Sequence, residues 1–289
     1  MPLTPGKLLV LFVLLFVVFR GLEWLRPCHK RTPLFRRGLT TDLSYWALGP
    51  TIIDAVIGIL ALVVMGLCAL VLYGQVERAE ILRGFGPLSE LPVLVQAAMM
   101  LVIADFIGYW THRGLHGRRL WRFHAIHHSA TTLDWLSAVR NHPVAELIGR
   151  IAIMVPLLAF GFQPEAVIGL APFLGLYALL LHANLDWDYG PMRTVIVSPR
   201  YHRWHHAIDI ERDGETGAAV SARTQGCNFA PLFPVWDIAF GTYFMPHARV
   251  PEAFGTTTPV PDGLFAQLAF PFRRSAEQHG PAANSGPVR

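Results

Sequence analysis

Apolar residues run almost unbroken from Leu8 to Phe19, and Gly21, Leu22, Trp24 and Leu25 extend the run. Only Lys7 precedes it and no small-residue cleavage pattern follows, so it is read as a retained first membrane helix and not a cleaved leader. The stretch from Arg26 to Arg37 supports this, with five basic residues and no acidic one, which is a stop-transfer flank. Tyr45 to Tyr73 predicts a second span, with Asp54 in its first turns near an interface. Leu91 to Trp110 predicts a third. Val144 to Phe160 and Ala166 to Leu181 predict two further apolar helices, joined by the short turn from Gly161 to Glu165. Each is at the low end of spanning length, which leaves open a hairpin that does not fully cross. From His182 to about Phe270 the chain is mixed polar and aromatic, the composition of a helical cap over helix ends. Ser275 to Arg289 is rich in Gly, Pro, Ala and Ser and is expected to be disordered.

Composition agrees with a chain largely dissolved in lipid. Hydrophobic residues make up 53% and charged residues 15%, and mean hydropathy is +0.39, whereas soluble domains carry about 25% charged residues. The net charge is only +4, and the basic residues cluster beside apolar segments. That distribution is a membrane protein's and not a nucleic-acid footprint. The three cysteines, Cys28, Cys68 and Cys227, are too few and too scattered for a disulfide framework or a cysteine-held zinc. Basic residues also follow the third span (Arg113, Arg118, Arg119, Arg122), whereas the loop from Gln75 to Glu90 is nearly neutral. The positive-inside rule then puts these basic loops in the cytosol and the N-terminus outside.

Ten of the 13 histidines lie between 112 and 206, at the ends of these apolar segments. His112 and His116 form H-x-x-x-H; His124, His127 and His128 form H-x-x-H-H, and His202, His205 and His206 repeat it. On a helix, positions i and i+4 share a face, so each motif aims two imidazoles at one point. The middle histidine of each H-x-x-H-H box is offset by about 100° and can reach a second centre nearby. Together these motifs supply eight nitrogens, more than one metal accepts, and imidazole suits Zn, Fe, Cu and Ni. Without a metal, so many adjacent imidazoles repel on protonation and waste polar burial. His182 and His142 lie between the clusters; His29, His247 and His279 are isolated and read as ordinary surface or core residues.

The run Asp105 to Trp110, the pair His112/His116, the two boxes, His182-Ala183-Asn184 and Ser198-Pro199-Arg200-Tyr201 together resemble the fatty acid hydroxylase / sterol desaturase superfamily of integral membrane di-iron enzymes. Asn228-Phe229, Trp236-Asp237 and Phe240-Gly241-Thr242-Tyr243 are similar to its closing segment, and the likeness covers roughly residues 95 to 245. It implies an all-α integral membrane protein of four to five transmembrane or membrane-embedded helices, with a cytosolic helical cap holding a histidine-rich dimetal site. Residues 1–90 are then two N-terminal helices and loops, 91–250 the catalytic domain and 251–289 a partly disordered tail. The resemblance implies two irons held by His112, His116, His124, His127, His128, His182, His202, His205 and His206. It further implies O2 as co-substrate, a lipid drawn from the bilayer, and a separate electron donor (ferredoxin, rubredoxin or a cytochrome b5-like protein) with its reductase.

No separate catalytic residue or organic cofactor site is expected beyond these ligands. Asp105, His142, Glu146 and Asn184 are candidates to hydrogen-bond a ligand histidine from behind, Asp105 being equally a capping group or a partner of Arg113. Asp186, Asp188 and Asp209 flank the boxes as solvated or ion-paired groups, and Trp110, Trp121, Tyr201, Trp204 and Trp236 read as interfacial anchors. Two rival readings remain at this stage. A zinc-dependent membrane hydrolase uses the same donors, zinc being the substitute they also accept, although its usual H-E-x-x-H base is missing. A divalent-metal transporter would instead place its ligands in broken helices at mid-bilayer.

Overall fold

The computed structural model describes residues 4–29, 32–74, 83–84, 86–208, 226–246 and 249–273. Asp209, His247, His279, most of the loop from Gln75 and the tail from Ser275 lie outside the described residues. The Thr4 side chain accepts from Lys7 N at 3.4 Å and Pro5 occupies the first helical position, starting α1 (Pro5–Leu25). Leu9, Val10, Leu14, Val17 and Val18 of α1 stay exposed. An apolar helix turned outward in this way faces lipid. Its other face buries Leu8 and Phe19 with Trp46, Trp135 and Leu136.

The second apolar segment differs from the single span expected. It begins earlier, as α2 (Leu39–Leu48), passes through a π turn at Gly49–Ile53, and continues as α3 (Asp54–Tyr73). Pro50 lacks an N–H and its ring displaces the preceding turn, so the two halves meet at 45°. Among the described residues two helices, α1 and α4 (Val93–Leu115), are long and apolar enough to cross a membrane, and three if the bent pair is one span. The predicted fourth and fifth helices form as α6 (Pro143–Ala159) and α7 (Pro164–His182), with Pro156 and Pro172 inside them. No strand occurs among the described residues; there are only two isolated bridges, Pro27 with Leu185 and Ala207 with Phe254.

α4 packs against α6 and α7, and α3 packs against α6, so one end of the bundle gathers the C-termini of α4 and α7. Over that end lie the short helices α5 (Trp121–His128), α8 (Pro199–His205), α9 (Val235–Ala239) and α10 (Leu264–Ala269). Gly108 allows the close approach of the cap to α4, because a Cβ there would lie 2.9 Å from Pro231 Cγ. Buried charge ties α2 to the cap. Arg36 bridges Asp134 at 2.5 Å and Asp42 at 2.7 Å, and Asp42 also accepts from Arg140 at 2.6 Å. Inside α1, Glu23 is 3% exposed and accepts from the backbone N–H groups of Trp135 (3.1 Å) and Asn184 (2.9 Å). A buried carboxylate is sustained by such donors.

Candidate metal centre

Each H-x-x-H-H box is carried by a short helix, and the start of α8 is fixed locally. Ser198 caps α8, its side chain accepting from Tyr201 N at 3.2 Å, with Pro199 in the first turn. α4 runs on past its apolar stretch, so His112 and His116 sit on its last turn and cap. All nine expected histidines converge, in two groups. The first holds His112, His116, His124, His128 and His205; the second holds His127, His182, His202 and His206; within each group the ligand atoms lie within 4.8 Å of one another. The two H-x-x-H-H boxes therefore cross. The i and i+4 members of each box serve one group and the middle member, His127 or His205, serves the other. The groups abut, with the His128 and His206 rings stacked at 4.3 Å.

Backbone carbonyls set the tautomers. The Nδ1 atoms of His112, His127, His182 and His205 lie 2.8–3.2 Å from the carbonyl oxygens of Phe229, Arg140, Ala178 and Cys227. A carbonyl only accepts, so each Nδ1 carries the proton and each Nε2 presents a lone pair. Yet His127, His182, His202 and His206 are chained through Nε2–Nε2 contacts of 3.1–3.2 Å. In the first group the contacts between Nε2 atoms of His112, His124 and His128 are 3.1 and 3.3 Å. Lone pairs aimed at each other at that range repel unless a cation lies among them. Nitrogens bound to a common metal at about 2.1 Å stand roughly 3–3.5 Å apart, so these separations fit a shared ion. Both ring nitrogens of His116, Nδ1 of His128 and Nε2 of His205 are also buried without a partner, an expensive state that metal coordination relieves.

Burial first, and the neighbouring imidazoles second, hold the rings of His116, His124, His127, His128, His202, His205 and His206 well below the ordinary histidine value of 6.5. The folded chain therefore binds fewer protons than the unfolded one between those two values. The stability of the metal-free protein is full above about pH 6.5 and is lost as pH falls through that window. Thermal unfolding of the apoprotein in detergent should show its midpoint dropping steadily from about pH 7 to about pH 5. A flat profile would contradict the neutral assignment.

The four residues expected behind the ligands sit elsewhere; none hydrogen-bonds a cluster histidine among the described residues. Asp105 neither caps nor pairs with Arg113. It accepts from Leu232 N (2.7 Å), Phe233 N (3.0 Å) and Trp236 Nε1 (2.8 Å), gripping the cap. His142 faces Leu268 O at 3.1 Å and takes Val144 N at 3.1 Å, acting as a cap of α6. Glu146 pairs with Arg150 on the half-exposed side of α6, and Asp54 pairs with the same arginine. Asn184 binds His29 N and Thr32. Asp186 and Asp188 are ion-paired, as expected, with Arg200. Tyr201 and Trp204 are buried core, so they are not anchors, and Trp121 lies on the rings of His116 (5.2 Å) and His128 (5.4 Å).

Two residues that sequence reasoning left without a role carry the carbonyl anchors. Asn228 adopts the left-handed conformation (φ 57°), which asparagine tolerates, and its side chain bonds Tyr201 O, Phe244 O and Phe244 N at 2.7–2.9 Å. The carbonyls on either side of it, from Cys227 and Phe229, orient His205 and His112. Asp237, fully buried, takes Phe229 N and Ala230 N at 2.8 Å each, Thr242 Oγ1 at 2.7 Å and the Tyr201 hydroxyl. Both lie in the segment that carries the resemblance at its closing end, and that was their only sequence signal.

These features define a class: a helical membrane protein with two abutting, all-histidine sites suited to metal ions at one end of its bundle. Residues 97–242, about half of the chain, match the fatty acid hydroxylase family, and the chain belongs to it. An ornithine lipid hydroxylase of Rhizobium tropici is 32% identical over 191 residues, covering 66% of this chain and 54% of the relative. An alkylglycerol monooxygenase of Homo sapiens is 27% identical over 160 residues, 54% of this chain and 32% of the relative. A methylsterol monooxygenase of Arabidopsis thaliana is 24% identical over 189 residues, 63% of this chain and 60% of the relative. The chain thus spans about half the length of the first of these relatives and about a third of the second. No solved structure matches it.

Proposed function

We propose that this protein is a membrane-bound di-iron oxidoreductase that uses O2 and external electrons to hydroxylate or desaturate a C–H bond of a lipid. The observation that carries the reading is an apolar cavity of about 230 Å³ between α4, α6 and α7, with His112 of the first group and His182 and His202 of the second in its wall. Leu174, Ala178 and His182 line it at successive turns of α7, so it runs roughly 12 Å from the histidines toward the half of α7 that would lie in the membrane. An inert hydrocarbon is what such a space accepts. The relatives named as lipid hydroxylases and monooxygenases point the same way.

In this reading His112, His116, His124, His128 and His205 hold one iron, and His127, His182, His202 and His206 hold the other. When bound there, the iron pair supplies reductive activation of O2 and abstraction of hydrogen from an unactivated C–H bond. The protein's own part is positioning and exclusion. The Cys227, Phe229, Arg140 and Ala178 carbonyls keep Nε2 of four ligands deprotonated and aimed inward. Leu101, Ala104, Ile153, Leu174 and Leu181 keep water from the reacting carbon. Asp105 and Asp237 fix the segment whose Ala230, Pro231 and Leu232 close the cavity. The basic flanks at 26–37 and 113–122 support placing the site on the cytosolic side. Among the described residues no carboxylate is grouped with the histidines to act as a hydrolase's base, and the ligands stand at helix ends, unlike the broken-helix site of a transporter.

Metal analysis after anaerobic purification should find two irons per chain. Lipid profiles of a deletion strain should lack species that differ from their precursors by one added oxygen or two missing hydrogens. A single tightly held zinc, with turnover indifferent to O2, overturns the reading.

A further inference from the structure

The loop between α4 and α5 carries Arg118 and Arg119, both exposed and in none of the described ion pairs, with Arg113 and Arg122 on either side. Arg122 donates to the carbonyls of Phe270 (2.9 Å) and Arg273 (2.8 Å), which brings a fifth cation, exposed Arg273, to the same surface. Arg113 lies over the Trp110 ring at 5.4 Å and donates to the Tyr109 hydroxyl. Three other arginines are instead neutralised: Arg37 by Asp262, Arg150 by Asp54 and Glu146, Arg200 by Asp186 and Asp188. The stretch from Arg113 to Arg122 thus concentrates positive charge that is in none of the described ion pairs.

At the start of α5 sits Trp121, half-buried, its Nε1 donating to Thr258 Oγ1 at 2.9 Å. The indole packs on His116 and His128, so one aromatic ring separates this basic surface from two histidines of the first group. The first group in turn meets the second through the stacked His128 and His206 rings.

We infer that the surface formed by Arg113, Arg118, Arg119, Arg122 and Arg273 is the docking site of an acidic one-electron carrier protein, and that electrons enter at the first histidine group across the face of Trp121. This rests on the proposed function. Hydroxylation consumes one O2, two electrons and two protons and yields the alcohol and one water; desaturation consumes the same and yields the alkene and two waters. A one-electron carrier must therefore dock twice per turnover, each carrier losing one electron to the metal pair, while the protons come from solvent. A brief encounter steered by complementary charge suits that demand, and electron-transfer complexes are small and weak. Arginines beside a membrane helix also attract anionic lipid headgroups. Trp121 decides for a protein, because it is turned inward onto the ligands and tied to Thr258, not directed outward as a lipid anchor.

The test uses the iron-loaded full chain in nanodiscs of neutral phosphatidylcholine. The probes are a plant-type [2Fe–2S] ferredoxin and the soluble domain of cytochrome b5, both acidic one-electron carriers. The double variant Arg118→Glu/Arg119→Glu should weaken binding of the carrier that the wild type binds by about tenfold or more, and slow carrier-driven reduction in proportion. Wild-type binding should weaken as salt rises. Iron content and reduction by dithionite should stay at wild-type values in the variant. Equal carrier binding by variant and wild type, no binding of either carrier to the wild type, or a loss seen only in phosphatidylglycerol nanodiscs each overturns the docking surface. The last result would assign the arginines to lipid. A wild type that holds no dithionite-reducible metal overturns the proposed function and the docking surface together, so the two failures are told apart.

Discussion

His127→Ala should remove one metal and leave the other, and His205→Ala should do the same at the opposite centre. His127 shares a box with His124 and His128, but its ring belongs with His182, His202 and His206. His205 shares a box with His202 and His206 and belongs with His112, His116, His124 and His128. The crossing follows from helix geometry: residues four apart lie on one face, and the middle residue of H-x-x-H-H points about 100° away. Variants should therefore sort by cluster and not by box. His127→Ala, His182→Ala and His206→Ala should share one residual iron signature in Mössbauer spectra, and His116→Ala, His124→Ala and His205→Ala should share another. All six should lose turnover, since the cavity wall draws histidines from both groups. His142→Ala should keep both metals, because its ring contacts Leu268 O, Val144 N, Phe123 and Phe272 and no ligand. Signatures that grouped by sequence box would show the crossing to be wrong.

The ease with which the histidines are read from the sequence, and the difficulty of reading their supports, have one physical origin. Spacing along a helix encodes angle, so H-x-x-x-H and H-x-x-H-H announce converging imidazoles from local sequence alone. Apolar run length announced α1 and α4 in the same way. A hydrogen bond from a loop carries no such code. Asp105 meets Leu232, 127 positions later, and Asp237 meets Tyr201 through a fold that no period describes. Glu146 looked well placed because it lies one turn beyond His142. The helix start at Pro143 instead aims it at Arg150, which Asp54 of α3 also holds. The bend in the second segment was written in the chain, at Gly49-Pro50, but a hydrophobic run reads through a proline whose effect depends on neighbouring helices. Trp121 shows the same limit. A tryptophan beside arginines at a helix end has the composition of a membrane anchor, and only the packing of α5 on His116 and His128 turns it inward.

Asp237 carries the second large effect. Its carboxylate is fully buried and satisfies two backbone N–H groups and two hydroxyls, with no cation paired to it among the described ion pairs. Asp237→Ala would orphan those donors at about 1–3 kcal/mol each, against a total stability of about 5–15 kcal/mol. The variant should therefore accumulate poorly or unfold well below the wild type. Asp237→Asn isolates the positioning role, since it keeps the volume and one acceptor oxygen but turns an amide toward a donor. It should cost about 2–4 kcal/mol and let the segment from Cys227 to Ala230 shift. The carbonyls of Cys227 and Phe229 in that segment orient His205 and His112, both of the first group, whereas the second group is anchored by Arg140 and Ala178. Metal affinity should accordingly fall about 10–100-fold at the first centre with little change at the second, read by chelator competition on the iron-loaded protein. A variant that keeps both affinities and its thermal midpoint would remove Asp237 from the site's support. Equal loss at both centres would reduce it to a general buttress of the cap.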